Sequence, residues 1–293
     1  MTPLRPVLMV LGAAACWGSL GIAYRLILGA TSLAPVTLVT VRASGAALLL
    51  LAWCLVARRD ALRVARRDLP FLVAFGLLTV TGFYITLILA IAWSGVAVAT
   101  VLLYLAPALV TLGAAVFYGE RLTRPRLLAL TGAVAGAALV AEVYQPAALI
   151  ASGPGLLMGL LSAAGYALYS LLGKRAMARH PAATVLLYNL GVGALGLLAV
   201  TLALGPGPLP DLPTLALIAL GTGTLLTLAP ITLYLLALRE LPAGVASIIA
   251  TAEPVIAILL AWLVLGEALR PLQAAGAALV LGSVLIIVLS DRR

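Results

Sequence analysis

Apolar residues run along this chain in long blocks separated by short polar or proline-bearing joints. An α-helix needs about 20 mainly apolar residues to cross the hydrocarbon core of a bilayer. Ten blocks reach roughly that length: residues 6–27, 35–57, 69–92, 95–118, 126–142, 155–174, 182–204, 213–237, 243–265 and 271–289. Pro35, Pro70, Pro125, Pro154, Pro181, Pro213, Pro242 and Pro271 stand at or near block starts, where the missing N–H costs a helix little. The fifth block is the shortest and the joint Trp93-Ser94-Gly95 the tightest, and no joint is long enough to separate soluble domains.

Composition agrees. The 293 residues are 64% hydrophobic and 9% charged, with a mean hydropathy of +1.22, whereas a soluble domain carries about 25% charge because its surface must be solvated. The expected solvent is therefore lipid, and the fold class expected is an all-α polytopic membrane protein. The formal net charge of +9 does not point to nucleic acid, because the basic residues sit in short clusters between apolar blocks, as in cytoplasmic loops facing an anionic leaflet. With the N-terminus inside, fifteen basic residues fall on the cytoplasmic side, the joint 58–68 alone holding Arg58, Arg59, Arg63, Arg66 and Arg67. Only Arg25 and Arg270 fall outside, and Arg42 lies within a block. That asymmetry predicts both termini in the cytoplasm. Cys16 and Cys54 lie inside apolar blocks and imply neither a disulfide nor a metal. Ala13-Ala14-Ala15-Cys16 faintly resembles a cleavage site, but an uncleaved first helix is the expectation.

The two halves repeat. AVATVLLYLAPALVTLGAAVFYGERL (97–122) aligns with GVASIIATAEPVIAILLAWLVLGEAL (244–269) at a shift of 147, placing Pro107 on Pro254 and Gly119-Glu120 on Gly266-Glu267. Ile85-Thr86-Leu87 recurs as Ile231-Thr232-Leu233, and Tyr24-Arg25 stands opposite Gly173-Lys174. The predicted units are 1–146 and 147–293, five helices each. An odd number of crossings inverts the second unit in the membrane, the architecture of carriers that open to either side around a fixed midplane site.

Trp17-Gly18-Ser19, Pro107 followed by Gly119-Glu120-Arg121-Leu122, and Glu253-Pro254 followed by Gly266-Glu267 resemble the EamA family of the drug/metabolite transporter superfamily over the full chain, and within it the YddG-like bacterial inner-membrane amino-acid exporters. The resemblance implies ten helices in two inverted repeats, a central cavity lined mainly by helices 1, 3, 4, 6, 8 and 9, and amino acids, aromatic or otherwise amphipathic, as substrates.

Candidate substrate contacts are Trp17, Ser19, Phe83, Tyr84, Tyr104, Tyr166, Tyr169 and Glu253. The six aromatic ones lie away from the interfacial belts that Trp53, Trp93 and Trp262 fit, and mid-membrane tyrosines need a hydroxyl partner that a wet cavity supplies. Glu253 is the one acidic residue near the bilayer centre, able to meet a substrate ammonium, to carry a coupling proton, or simply to bond a neighbouring helix. Pro107 and Pro254 deprive the carbonyls of Leu103 and Ala250 of their usual donors and are expected to act as kinks and hinges. Arg42, about 10 Å below the helix end, can snorkel outward, pair with an ion, or contact a substrate carboxylate; its repeat partner is Asn189. Glu120 and Glu267 are read as ion pairs or caps, and Gly132-x-x-x-Gly136 permits close helix contact; the working expectation is a monomer.

No GxxxxGK[ST], HExxH or GxSxG string occurs, and the single histidine is His180. ATP is thus not the direct energy source, no cofactor or metal is expected, and the reading is a transporter rather than an enzyme. A channel or passive facilitator stays open beside it.

Overall fold

The computed structural model describes residues 4–142, 144 and 152–290, which hold helices and no strand. The elements in chain order are α1 (Leu4–Gly18), α2 (Leu20–Ala30), α3 (Pro35–Ala57), α4 (Leu69–Gly76), α5 (Phe83–Leu103), α6 (Ala106–Tyr118), α7 (Arg124–Val140), α8 (Gly153–Arg179), α9 (Ala182–Leu204), α10 (Leu212–Gly223), α11 (Ala229–Ala237), α12 (Ala243–Ala250), α13 (Ala252–Leu265) and α14 (Pro271–Ser290). Wide π-turns, Leu77–Gly82 and Thr224–Leu228, join α4 to α5 and α10 to α11. The expected divide between residues 146 and 147 lies outside the described residues, as do Arg292 and Arg293.

Eight helical stretches among the described residues are long and apolar enough to cross a membrane, and α6 is a shorter apolar helix. Their outer faces keep Val56, Phe117 and Leu212 each more than 70% exposed, a surface that only lipid or another apolar phase can cover. One of the eight, Leu69–Leu103, is 35 residues long. Gly95 interrupts it at φ 79°, ψ 163°, backbone angles that a side chain would strain, so the tight joint at Trp93-Ser94-Gly95 is a real break.

Interruptions recur at the repeat distance. The π-turns open at Leu77 and Thr224, helix stops fall at Tyr104 and Thr251, and left-handed glycine caps stand at Gly119 and Gly266. At the two stops the expected kink is a full break. Each helix ends four residues before its proline and restarts with Pro107 or Pro254 in the new first turn, where the absent N–H and the ring's clash with the preceding carbonyl do no harm.

Helices distant in sequence pack together: α3 on α9 and α10, α5 on α8, α1 on α11 and α13, and α7 on α14. Association inside lipid lacks a hydrophobic drive and relies on close fit, so small residues sit at the contacts. A Cβ built on Gly136 would lie 2.7 Å from the Gly276 carbonyl oxygen and one built on Gly276 equally near that of Gly136. The Gly132-x-x-x-Gly136 stripe is thus used within the chain, against α14. One built on Gly223 would meet the Ala46 nitrogen at 2.8 Å, so α10 and α3 touch backbone to backbone.

Candidate functional site

A cavity of about 140 Å³ lies where the interrupted helices meet, lined by α1, α5, α8, α11, α13 and the first π-turn. Of the candidate substrate contacts, Trp17, Phe83, Tyr84, Tyr166, Tyr169 and Glu253 line it, together with aliphatic residues such as Leu20 and Leu103. The rings form one connected set: Trp17 and Tyr166 meet edge to face at 6.5 Å, Phe83 and Tyr84 at 4.9 Å, and Phe83 and Tyr166 at 6.4 Å. Such offset and edge contacts suit the ring quadrupole and hold the wall in shape.

Tyr234 is the residue that pattern reasoning missed. It is fully buried, stacks on Tyr169 at 5.7 Å, lies 5.5 Å from Trp17 and shares a 2.8 Å hydroxyl bond with Ser170. It braces the aromatic wall from behind. The repeated Ile-Thr-Leu string that ends just before it was the available signal.

Glu253 opens onto the main cavity and onto a second void of about 20 Å³ that also touches Tyr104, Pro107, Ser247 and Thr251. Among the described residues no hydrogen bond or ion pair reaches its carboxylate. The neighbouring hydroxyls are engaged elsewhere, Ser247 donating to the Gly244 carbonyl and Thr251 to that of Ile248. An ionised carboxylate facing lipid costs a few kcal/mol, so its place here is at an interior surface open to a ligand.

Three predicted positions line neither the main cavity nor the small void. The Ser19 hydroxyl donates to the Cys16 carbonyl at 2.7 Å, at the joint of α1 and α2. Pro254 acts through backbone shape alone. Arg42 does not snorkel. It is 1% exposed, with its guanidinium 5.7 Å from the Tyr24 ring centre and 5.0 Å from that of Tyr84, and its Nη1 donates to the Leu226 carbonyl at 3.0 Å. Its Nε has no partner. The repeat partner does the same in mirror image, Asn189 Nδ2 donating at 3.0 Å to the Thr79 hydroxyl. Residues 226 and 79 are 147 apart and each lies in a π-turn, where the widened ladder frees backbone acceptors.

The two Gly-Glu pairs occupy opposite ends of the bundle. Glu120 is nearly buried and accepts from the backbone N–H groups of Ala243 at 2.7 Å and Gly244 at 3.3 Å, so it caps α12. Arg126 and Lys174 flank it at 3.3 and 3.5 Å, and Lys174 also donates to the Leu241 carbonyl. Glu267 pairs instead with Arg25, both more than half exposed. Arg25 and Lys174 are the residues aligned by the repeat, so one device is built twice, engaged deeply at one end and at the surface at the other. Among the described residues no group of His, Cys, Asp or Glu could hold a metal ion.

Comparison with known proteins decides the family. The EamA-like transporter family model matches residues 4–141 and 153–289. The chain belongs to the EamA-like transporter family. Among EamA-like relatives, an uncharacterized transporter of Archaeoglobus fulgidus is 33% identical over 220 residues, covering 75% of this chain and 76% of the relative. The Salmonella typhimurium protein named uncharacterized inner membrane transporter YicL is 29% identical over 299 positions, covering 99% and 97%. A solved crystal structure shares the fold at a TM-score of 0.82 over 98% of both chains, with 23% identity. The chain is thus a multi-pass membrane transporter.

Proposed function

We propose that this EamA-like protein is a secondary transporter that exports small amphipathic metabolites, amino acids among them, across a bacterial inner membrane by alternating access. It crosses the membrane ten times in two inverted five-helix units, 1–146 and 147–293, with both termini cytoplasmic. Gly95 divides the 35-residue run into two crossings, α6 completes the second of them, and the 17-residue α7 supplies the fifth. The fifteen-to-two basic asymmetry supports the orientation.

The observation that carries the reading is one aromatic cavity, holding one carboxylate without a partner among the described residues, where the first π-turn meets the helix breaks before Pro107 and Pro254. Discontinuous helices around a midplane site are how carriers bind substrate while the two halves rock about it. Glu120 and Glu267 supply the two ends of that motion. With Glu120 capping α12, the basic end is held shut. In the opposite state the repeat has Glu267 capping the helix that starts at Val96 and Ala97, while Glu120 retreats to a surface pair with Lys174. A ligand shifts such an equilibrium only by its difference in affinity between the two states.

Counterflow tests the proposal. Proteoliposomes preloaded with unlabelled candidate substrates should accumulate the labelled compound transiently above equilibrium. A channel or passive facilitator gives flux without counterflow or saturation, and that outcome would overturn the carrier reading.

A further inference from the structure

We infer that the cavity selects small organic cations, amines or quaternary ammonium ions of about one ring, over zwitterions that carry a carboxylate. The inference narrows the transport reading, setting amines ahead of the amino acids named there as preferred substrates, and rests on that reading for physiological use, though not for the binding itself.

The cavity supplies what a cation needs. Trp17, Phe83, Tyr84, Tyr166 and Tyr169 present π-faces and edges to the same space, and the Glu253 carboxylate, which no protein group bonds among the described residues, supplies a negative charge when ionised. A desolvated cation gains about 2 kcal/mol on a good aromatic face, and the carboxylate adds direct Coulomb attraction that a water-poor site screens weakly.

It supplies little for an anion. Among the described residues no lysine, arginine or histidine lines either the main cavity or the small void beside it. Arg42 packs against Tyr84, 1% exposed, its guanidinium beside the Tyr24 and Tyr84 rings and one Nη committed to the Leu226 carbonyl. A helix N-terminus can bind a carboxylate, and α13 begins beside the cavity. Its first turn already carries Glu253, whose carboxyl group occupies that field and, when ionised, repels a second carboxylate. A substrate carboxylate would therefore sit beside Glu253 with only the neutral hydroxyls and indole N–H of the wall to replace its water and no cationic side chain to balance its charge.

Size sets the other limit. A cavity of about 150 Å³ takes up benzene, and this one is about 140 Å³. One ring with a short amine, or a compact tetraalkylammonium, fits. The adjoining 20 Å³ void has room for one water, which needs about 10–15 Å³.

The test uses the purified full chain in detergent and needs no transport. Binding is read by ligand-induced thermal shift for two pairs of probes: phenethylamine against phenylalanine, and phenyltrimethylammonium against its uncharged isostere tert-butylbenzene. The expected result is that each cation binds at least tenfold more tightly than its partner, and that Glu253→Gln, which keeps volume and hydrogen bonding, removes most of that preference. The wild-type pairs decide the question even where the variant folds poorly. Equal or tighter binding of phenylalanine, or of tert-butylbenzene, would overturn the inference, as would failure of both cations to shift the protein at millimolar concentration. Counterflow with the amino-acid panel reports separately on the carrier, so selection of zwitterions would end this inference and leave the transporter reading intact.

Discussion

Gly223 shows how little room single positions have in this bundle. A methyl added there would meet the Ala46 nitrogen at 2.8 Å, the Gly45 carbonyl carbon at 3.1 Å and the Arg42 oxygen at 3.2 Å, all backbone atoms of α3 that a rotamer change cannot move. Overpacking of this kind costs about 1–3 kcal/mol. Gly223→Ala is therefore expected to lower the thermal midpoint of the purified protein by several degrees. Gly21→Ala, where an added Cβ meets nothing within 4 Å, should leave it unchanged or raise it slightly through better helix propensity. Equal midpoints for the two variants would mean that α3 and α10 are not in backbone contact.

The π-turns make the same point for whole helices. Each widens a helix next to the cavity, and each is held by one polar side chain from the opposite half, Arg42 at Leu226 and Asn189 at Thr79. The two clamps differ in strength. A neutral hydrogen bond between membrane helices averages about 0.6 kcal/mol, whereas a desolvated guanidinium stacked on aromatic faces and bonded to a carbonyl is worth about 2 kcal/mol or more. Arg42→Lys keeps the charge but loses the planar group that can stack and bond at once. It should lower stability by about 2 kcal/mol, measured by thermal unfolding, against about 0.6 kcal/mol for Asn189→Ala. If Arg42→Lys were neutral, the guanidinium would not be holding the turn.

Across the molecule, the decisive contrast is between the two glutamates. Breaking a buried ion pair costs about 3–5 kcal/mol because the remaining charges stay uncompensated, while an exposed pair is worth about 0–1 kcal/mol. Glu120→Ala removes the carboxylate that Arg126 and Lys174 share and uncaps α12, so it should destabilise the state closed at the basic end by about 3 kcal/mol. Glu267→Ala should cost less than about 1 kcal/mol in that state. Accessibility reports the shift directly: with a cysteine at position 247, near the small void, Glu120→Ala should speed labelling from the end bearing Arg58–Arg67 by roughly a hundredfold. Unchanged labelling would show that Glu120 is a cap and not a closure.

Hydrophobic run length, the prolines and the Gly-Glu repeats made the helices, their breaks and the family resemblance readable in the chain, because lipid as solvent demands continuous backbone bonding and tolerates proline only where a helix can restart. Glu253 was readable too, since one carboxylate in so apolar a setting stands out. Hydropathy could not tell which apolar or aromatic face turns inward, because lipid-facing and buried positions have the same composition. Tyr234 therefore looked like its neighbours until α11 was packed against α1 and α8. Arg42 read as a snorkelling residue for a similar reason: its depth follows from the sequence, but the Tyr24 and Tyr84 rings that hold it come from other helices. Those approaches between separate helices, set by side-chain fit, were the work of the tertiary structure alone.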